Sequence, residues 1–424
     1  MPLIAAGISF RTAPLEVRER VALADPQIRP LLRFLIGHGG LRGVVLLSTC
    51  NRTELYASLP AEARTDEVLS RLCRYLDPTG GSALAEHMAV FLDEEAALHL
   101  FRVAAGLESM VVGEAQVLAQ VRAAHRLALE AGSVDAPLDF LFRRAAGAGR
   151  RVRRETAIGK GAGSLSEAAV TMAAEILGGL QGRTVLLIGA GKMNGLAARR
   201  LRRLGAHLRV TSRGGESAAA LAGDLGATVV TTEDVAAAVV DSDLVITSTS
   251  SSAPVLDVAT VAAVQRRRGG RRLCIVDIAV PRDVEPAVTS LPGVVLVDID
   301  ELGRQLDATV HGRREAAAEA ETLVRDEARR AMEAVDQRDA ADPTIRALVE
   351  RAEEIRKREV ARTLARLPDP DAATVERIDR LSRSLVRKLL HAPITHLRDS
   401  GGDPGVALRL RQAFDLDGDG ASEH

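Results

Sequence analysis

The chain has 424 residues, 46% of them apolar, and its 56 basic side chains nearly balance 57 acidic ones for a formal net charge of −1. That length and apolar content are enough to bury two or three separate cores, and a net charge near zero excludes a general polyanion binder. Aromatic residues are 2% of the chain and Trp is absent, which excludes RNA-binding modules that stack bases on exposed rings.

No apolar run reaches the roughly 18 to 20 residues that a bilayer core demands, and the start "MPLIAAGISFRTAP" has neither the basic opening nor the cleavage site of a signal peptide. A cytoplasmic protein with no membrane partner is expected. Cys50, Cys73 and Cys274 stand far apart with no CxxC-type pairing, so neither a disulfide framework nor a zinc site is indicated and no metal is expected.

From residue 1 to about 155 short strands mix with amphipathic helices. "LIAAGIS" and "GVVLLST" read as strands and "RTELYASL" as the returning strand, which puts Cys50 at a bend where a side chain can reach a cleft. Its neighbours Thr49, Asn51 and Arg52 are polar, and a cation such as Arg52 favours the thiolate. Taken alone, Cys50 fits a buried structural thiol better than a nucleophile. The stretch from Asp93, a candidate cap, to Gly132 has helical spacing, with a break into two helices at Val112 and Gly113. His99 lies in the first of these, where a packed histidine is the plain alternative to a functional one. Gln116 and Gln120 share a face of the second, with Glu114 in its first turn and Ser109 upstream. Such donors and acceptors can read an amino-acid ammonium and carboxylate, or simply make a polar surface. Arg143, Arg144, Arg150, Arg151, Arg153 and Arg154 follow at helical spacing and form a basic ridge suited to phosphates, or an ordinary solvated face.

Between residues 165 and 305 the texture becomes strand, glycine turn and helix in alternation: "TVLLIG", "LRVTS", "ATVV", "DLVITSTS", "RLCIVDIAV" and "GVVLVDID". This pattern predicts a doubly wound parallel sheet covered on both faces. Gly189, Ala190 and Gly191, then Lys192, Met193 and Asn194, follow the first strand directly and open a helix, so backbone N–H groups can meet a pyrophosphate. The third glycine of the fingerprint is shifted, with Asn194 at its place. The second strand ends in Ser212 and Arg213 where an NAD enzyme usually carries an acidic residue, which favours NADPH through a 2′-phosphate held by Arg213. A nicotinamide domain beside a nucleophilic thiol suggests thioester formation followed by hydride reduction to an aldehyde.

After about residue 305 strand signals vanish and charged helices with apolar positions three and four apart predict a bundle or association domain, punctuated by Pro343, Pro368 and Pro370. The tail "DLDGDG" opens like a calcium loop at Asp415, Asp417, Asp419 and Gly420, yet the chain ends before the closing Glu, so it reads as a solvated tail.

Taken together and in order, "STCNRTELY", "GLESMVVGEAQ", "AIGKGAGSLSEAAV", "IGAGKM", "DIAVPRDVEP" and "LLHAPITHLR" resemble the glutamyl-tRNA reductase family from about residue 4 to residue 400. The resemblance implies a V-shaped homodimer of three-domain chains: an α+β catalytic domain (1–158), a Rossmann-like NADPH domain (159–305) and a spine helix with an all-α dimerisation domain (306–424). It implies that Cys50 attacks the ester of glutamyl-tRNA(Glu), that the thioester is reduced with NADPH to glutamate-1-semialdehyde, and that this opens tetrapyrrole synthesis. Thr49, Asn51, Arg52, Ser109, Glu114, Ala115, Gln116 and Gln120 fall on the family's substrate positions, with Arg52 suited to the glutamate side-chain carboxylate. His99 matches a histidine important for activity, and Gly189 to Asn194 match the NADPH loop. A complex with glutamate-1-semialdehyde aminomutase is a further implication. The motifs depart at Phe10, where the family usually has histidine, at Ala115 and Ala119, and at "TSRGG". Two other readings compete: a dehydrogenase of a small acid, of the shikimate-dehydrogenase sort, with a structural Cys50, and a nucleotide-sensing scaffold without catalysis.

Overall fold

Runs of Val, Ile and Leu that stop at polar or glycine turns build the first sheet. Leu3–Ser9 (β1), Gly43–Ser48 (β2), Arg52–Ser58 (β3) and Ala89–Leu92 (β4) are antiparallel in the order β2-β3-β1-β4. The computed structural model describes residues 2–60, 62–77, 84–159, 165–308, 314–368, 370–400 and 403–417, and forms two compact units, Pro2–Ala328 and Arg329–His424. Helices Asp93–Ala105 and Ala136–Glu155 pack on each other beside the sheet, and helix Ala115–Ala131 covers β2. The inner strands are buried on both faces for that reason, and β3 has no exposed residue at all.

Two expectations for the helices need correction. Asp93 is not the cap of the helix it begins: its Oδ1 accepts the Leu3 N–H at 3.0 Å and so ties that helix to β1. The break is also longer than a Val-Gly kink, because the first helix ends at Gly106 and the second starts only at Ala115. Gly106 and Gly113 both have positive φ, 81° and 85°, and the Gly113 N–H donates to the Gly106 carbonyl at 2.9 Å, which closes the intervening loop at its neck. A Cβ on Gly113 would lie 2.2 Å from the Ile158 carbonyl oxygen. At the other end Gly132, φ 71°, terminates the second helix as expected.

The second sheet is parallel throughout, in the order β10-β9-β8-β5-β6-β7: Thr184–Ile188 (β5), His207–Thr211 (β6), Thr228–Val229 (β7), Leu244–Thr247 (β8), Leu273–Asp277 (β9) and Val294–Val297 (β10). The order reverses between β5 and β8, as in a doubly wound dinucleotide fold. Val185, Leu186, Leu187, Val245, Ile246, Ile275 and Val276 have no exposed surface, so both faces of this sheet are covered, as the near-continuous apolar strands predict.

In the C-terminal unit Pro343 does not punctuate. It lies inside the 51-residue helix Arg314–Leu364, and apolar side chains buried on either side of it, Met332, Val335 and Leu348, carry the helix through one missing hydrogen bond. Helix Ala372–Asp399 presents Leu381, Leu385 and Leu389, four apart and 62%, 52% and 74% exposed, along an apolar groove of about 450 Å³ shared with Ile355 and Phe414. No helix among the described residues is long and apolar enough to cross a membrane.

Replacing Gly113 by Ala combines a left-handed backbone with a backbone clash. Gly113→Ala should cost roughly 2 kcal/mol or more, measured by urea denaturation; native stability would show that the loop neck is not the constraint the geometry indicates.

Candidate active site

The bend between β2 and β3 is built by its own side chains. Thr49 Oγ1 accepts the N–H groups of Asn51 and Arg52, each at 3.2 Å, and the Thr49 N–H donates to the Arg52 carbonyl at 2.8 Å. Thr49 therefore shapes the turn on which Cys50 stands. The Phe10 N–H donates to the Asn51 carbonyl at 2.9 Å, joining the end of β1 to the same turn. Both Cys50 and Phe10 pack against an apolar cluster that joins Leu15 and Met110 of the first domain to the core of the nucleotide domain. That contact explains an apolar ring at position 10.

Cys50 is partly exposed. Burial pushes the thiol up to about 12; Glu114 adds to the rise, while Arg18 and then Arg52 oppose it. The expectation that Arg52 would produce a thiolate is thus right in sign and too small in size. The largest cationic influence on the thiol is Arg18, which motif reading did not single out. Arg18 is 3% exposed and donates through Nη1 to the Cys50 carbonyl at 3.0 Å.

Arg52 itself is 3% exposed and fully engaged in the interior. Nη1 donates to Glu54 Oε1 at 2.7 Å and Nη2 to the Glu108 carbonyl. Glu54 also takes the Tyr56 hydroxyl at 2.7 Å and pairs with His99 Nε2 at 3.1 Å. Burial alone would raise the Glu54 carboxyl, yet Arg52 and His99 hold it down at about 2. His99 stacks on Phe91 with ring centroids 4.3 Å apart, and its hydrogen-bond partner is Glu54, not the thiol. It braces Arg52 from behind. The signal for this network is strand alternation: Arg52, Glu54 and Tyr56 are two apart on β3 and face the same way.

Ser109 is buried in the loop between the two glycines, and Glu114 stands at the N-terminus of helix Ala115–Ala131. Burial raises the Glu114 carboxyl, against a hydrogen bond from the Leu165 backbone and the charges of Arg153 and Lys192. The charge of Glu114 acts on the Cys50 thiol, and that of Lys192 from the nucleotide loop acts on Glu114. Asn51 Oδ1 and Gln116 Oε1 are buried acceptors with no hydrogen-bond partner among the described residues. Gln120 lines a separate cavity of about 490 Å³ with Ser48, Arg29 and Arg126. The Ala115 side chain, and residues 160–164 of "AIGKGAGSLSEAAV", lie outside the described residues.

The nucleotide cleft measures about 590 Å³ at the carboxyl ends of β5, β6 and β8. Gly189, Ala190, Gly191, Ser212 and Arg213 all line it, and no carboxylate does. Gly189, φ 100°, lets the chain pass so close to β8 that a Cβ would sit 2.3 Å from the Ser248 carbonyl oxygen, whereas a Cβ on Gly191 would meet nothing within 4 Å. Arg213 is exposed and donates to Ser250 Oγ at 3.3 Å. Lys192 is exposed, and the Met193 carbonyl accepts the Ser166 hydroxyl at 2.9 Å. Asn194 departs from the expected role: it is wholly buried, and its Nδ2 donates to the Ile188 and Gly189 carbonyls at 2.9 and 2.8 Å. It pins the turn from beneath, its side chain away from the cleft.

The basic ridge is mostly neutralised. Arg143 pairs with Asp139, Arg144 and Arg151 with Glu327, and Arg154 with Glu155, while Arg153 donates to the Gly113 and Glu114 carbonyls. No cluster of His, Cys, Asp and Glu able to hold a metal occurs among the described residues. Of the calcium-like tail, Asp417 pairs with Arg411, and 418–420 lie outside the described residues.

A doubly wound sheet with this cleft, linked through Arg18 and a shared apolar cluster to the cysteine turn of a second domain, defines an NAD(P)-dependent oxidoreductase. Three family descriptions match the chain: "Glutamyl-tRNAGlu reductase, N-terminal domain" over residues 6–156, "Shikimate / quinate 5-dehydrogenase" over 171–305 and "Glutamyl-tRNAGlu reductase, dimerisation domain" over 319–416. Glutamyl-tRNA reductase of Sorangium cellulosum is 41% identical over 98% of this chain and 83% of its own length. That of Rubrobacter xylanophilus is 40% identical over 100% and 99%. The solved glutamyl-tRNA reductase of Methanopyrus kandleri is 33% identical, covers 98% of this chain and 99% of its own, and has a TM-score of 0.48. The chain belongs to the glutamyl-tRNA reductase family.

Glu54's carboxyl titrates at about 2 in the folded chain against an ordinary 4.5, so its contribution is fully present above about pH 4.5 and is lost as pH falls toward 2. Glu54→Gln should cost about 3–5 kcal/mol at neutral pH, because Arg52 loses its buried partner, and should flatten the fall of stability across that acid window. An acid limb identical to the native one in a pH series of urea melts would rule the assignment out.

Proposed function

We propose that this chain reduces glutamyl-tRNA to glutamate-1-semialdehyde with NADPH, through a thioester on Cys50, in the cytoplasm, with the parts 1–158, 159–305 and 306–424 serving catalysis, nucleotide binding and dimerisation. The observation that carries this reading is the link from the Cys50 turn to the nucleotide domain, through Arg18, which bonds both the Cys50 carbonyl and Asp300, and through the apolar cluster shared by Cys50, Leu15, Met110 and the nucleotide-domain core. A thiol with only a structural role would have no need of that juxtaposition.

In the acyl-transfer step the Cys50 sulfur gives up its proton and bonds to the ester carbonyl carbon; the bond to the tRNA ribose oxygen breaks, and that oxygen takes a proton. Asn51 Oδ1 and Gln116 Oε1, both lacking partners, suit the substrate's α-ammonium. Arg52 acts chiefly by holding the turn and the Glu108 carbonyl in place; a substrate carboxylate reaches it only in competition with Glu54. Gly189, Ala190, Gly191, Ser212 and Arg213 would hold NADPH, which would supply the hydride that takes the thioester to the aldehyde, with the Cys50 sulfur leaving the carbon and regaining a proton. NADPH is preferred to NADH because a cleft with Arg213, Ser212 and Ser250 and no carboxylate suits a phosphate better than a ribose diol. The exposed leucine stripe of helix Ala372–Asp399 suits pairing with a second copy. Direct transfer of the reactive aldehyde to an aminomutase fits the same scheme.

Following NADPH oxidation with glutamyl-tRNA, free glutamate and a mischarged tRNA separates the three readings. Only glutamyl-tRNA should support turnover, and Cys50→Ser should lower it by at least about 10³-fold. Full activity of the serine variant would refute the covalent route, and turnover with free glutamate would favour a small-acid dehydrogenase. Arg213→Ala should weaken NADPH binding roughly ten- to hundredfold and leave NADH nearly unaffected, by titration calorimetry; equal losses would remove the 2′-phosphate role.

A further inference from the structure

Helix Leu15–Arg20 is six residues long, yet three of its side chains are tied to the nucleotide domain. Glu19 Oε1 accepts the Arg282 backbone N–H at 2.6 Å and Nε at 2.9 Å, and Oε2 accepts Nη2 at 2.8 Å. Glu16 takes the remaining arm, Nη1, at 3.2 Å. Arg18, besides holding the Cys50 carbonyl, donates through Nη2 to Asp300, in the first turn of helix Ile299–Ala308. One turn on, Gly303 is close enough to Met110 of the glycine-necked loop that a Cβ there would lie 3.3 Å from its sulfur. The cysteine turn and the loop carrying Ser109 are thus both registered on the nucleotide domain.

We infer that Arg282 is a positioning residue whose ion pairs with Glu19 and Glu16 hold the helix before the Cys50 turn in register with the nucleotide domain, so that the reductive half of the reaction depends on it and the acyl-transfer half does not. This rests on the reductase reading. The groups that meet the acyl substrate, Cys50, Asn51 and Gln116, belong to the first domain and stay organised by Thr49, Arg52 and Glu54. Reduction instead needs a carbon in one domain to meet a donor in the other, where a misplacement of about 1 Å costs on the order of a hundredfold. A planar guanidinium gripping both oxygens of one carboxylate fixes orientation as well as distance. The Arg282 and Glu19 side chains are 16% and 17% exposed, so salt screens the pair weakly.

The test follows three signals on the full-length protein: tRNA release from glutamyl-tRNA without nicotinamide nucleotide, NADPH oxidation with it, and iodoacetamide labelling of Cys50 read by mass. For Arg282→Gln, release should stay at the native rate, NADPH oxidation should fall roughly ten- to hundredfold, and labelling should quicken as the turn loses its cover. The charge exchange Glu19→Arg with Arg282→Glu should recover part of the oxidation. Release and oxidation falling together would mark a merely structural residue, and native oxidation would overturn the inference outright. If Arg282→Gln does not fold, Arg282→Lys, which keeps the charge and loses the fork, is read in the same way. A native protein that neither releases tRNA nor oxidises NADPH would sink the reductase reading instead, and labelling would then decide the clamp alone.

Discussion

Arg52 carries a permanent charge into the interior directly beneath the cysteine turn, and a buried guanidinium without a partner costs several kcal/mol. Much of the first domain is arranged to meet it. Glu54, two residues on along β3, supplies the countercharge, and its remaining valences are taken by Tyr56 and His99. His99 must then arrive on helix Asp93–Ala105, which Asp93 fastens to β1 through the Leu3 N–H. The second arm of the guanidinium needs the Glu108 carbonyl, so the chain leaving that helix has to fold back over the turn. Gly106 and Gly113, both in the left-handed region, make that return possible. The loop that carries Ser109 is thus a consequence of one buried charge.

Much of this fold was legible because it depends on patterns that are local. The parallel strands announce themselves as apolar runs, since both faces of their sheet are covered, and the glycine fingerprint follows β5 as the phosphate site requires. The β2-β3 hairpin and the exposed Arg213 belong to the same class. What could not be read depends on partners distant in sequence. Asn194 occupies a fingerprint position, yet its side chain faces the strand end, where its amide bonds the Ile188 and Gly189 carbonyls. Arg18 looks like any arginine on a short charged helix until Asp300 and the Cys50 carbonyl, 282 and 32 residues away, are brought beside it. Pro343 misleads in the opposite direction, because packing along a long helix overrides a local breaker.

The arginine ridge shows the same limit in electrostatic form. A cluster of like charges suggests an anion surface only while its partners are unknown, and Glu327, Asp139 and Glu155 come from other stretches of chain or from the next turn.

The two buried arginines flanking Cys50 differ in what answers their charge. Arg52 is neutralised inside the first domain by Glu54, while Arg18 is neutralised across the domain boundary by Asp300. Both oppose the burial that keeps the thiol protonated. A protonated thiol is a poor nucleophile and a poor target for oxidants. The cations that favour the thiolate, Arg18 and Arg52, already stand beside the turn. Because the Arg18 guanidinium reaches the Cys50 carbonyl and Asp300 at once, one side chain joins the cysteine turn to the cofactor domain, and the cation that acts most strongly on the thiol is answered from the domain that must deliver the hydride.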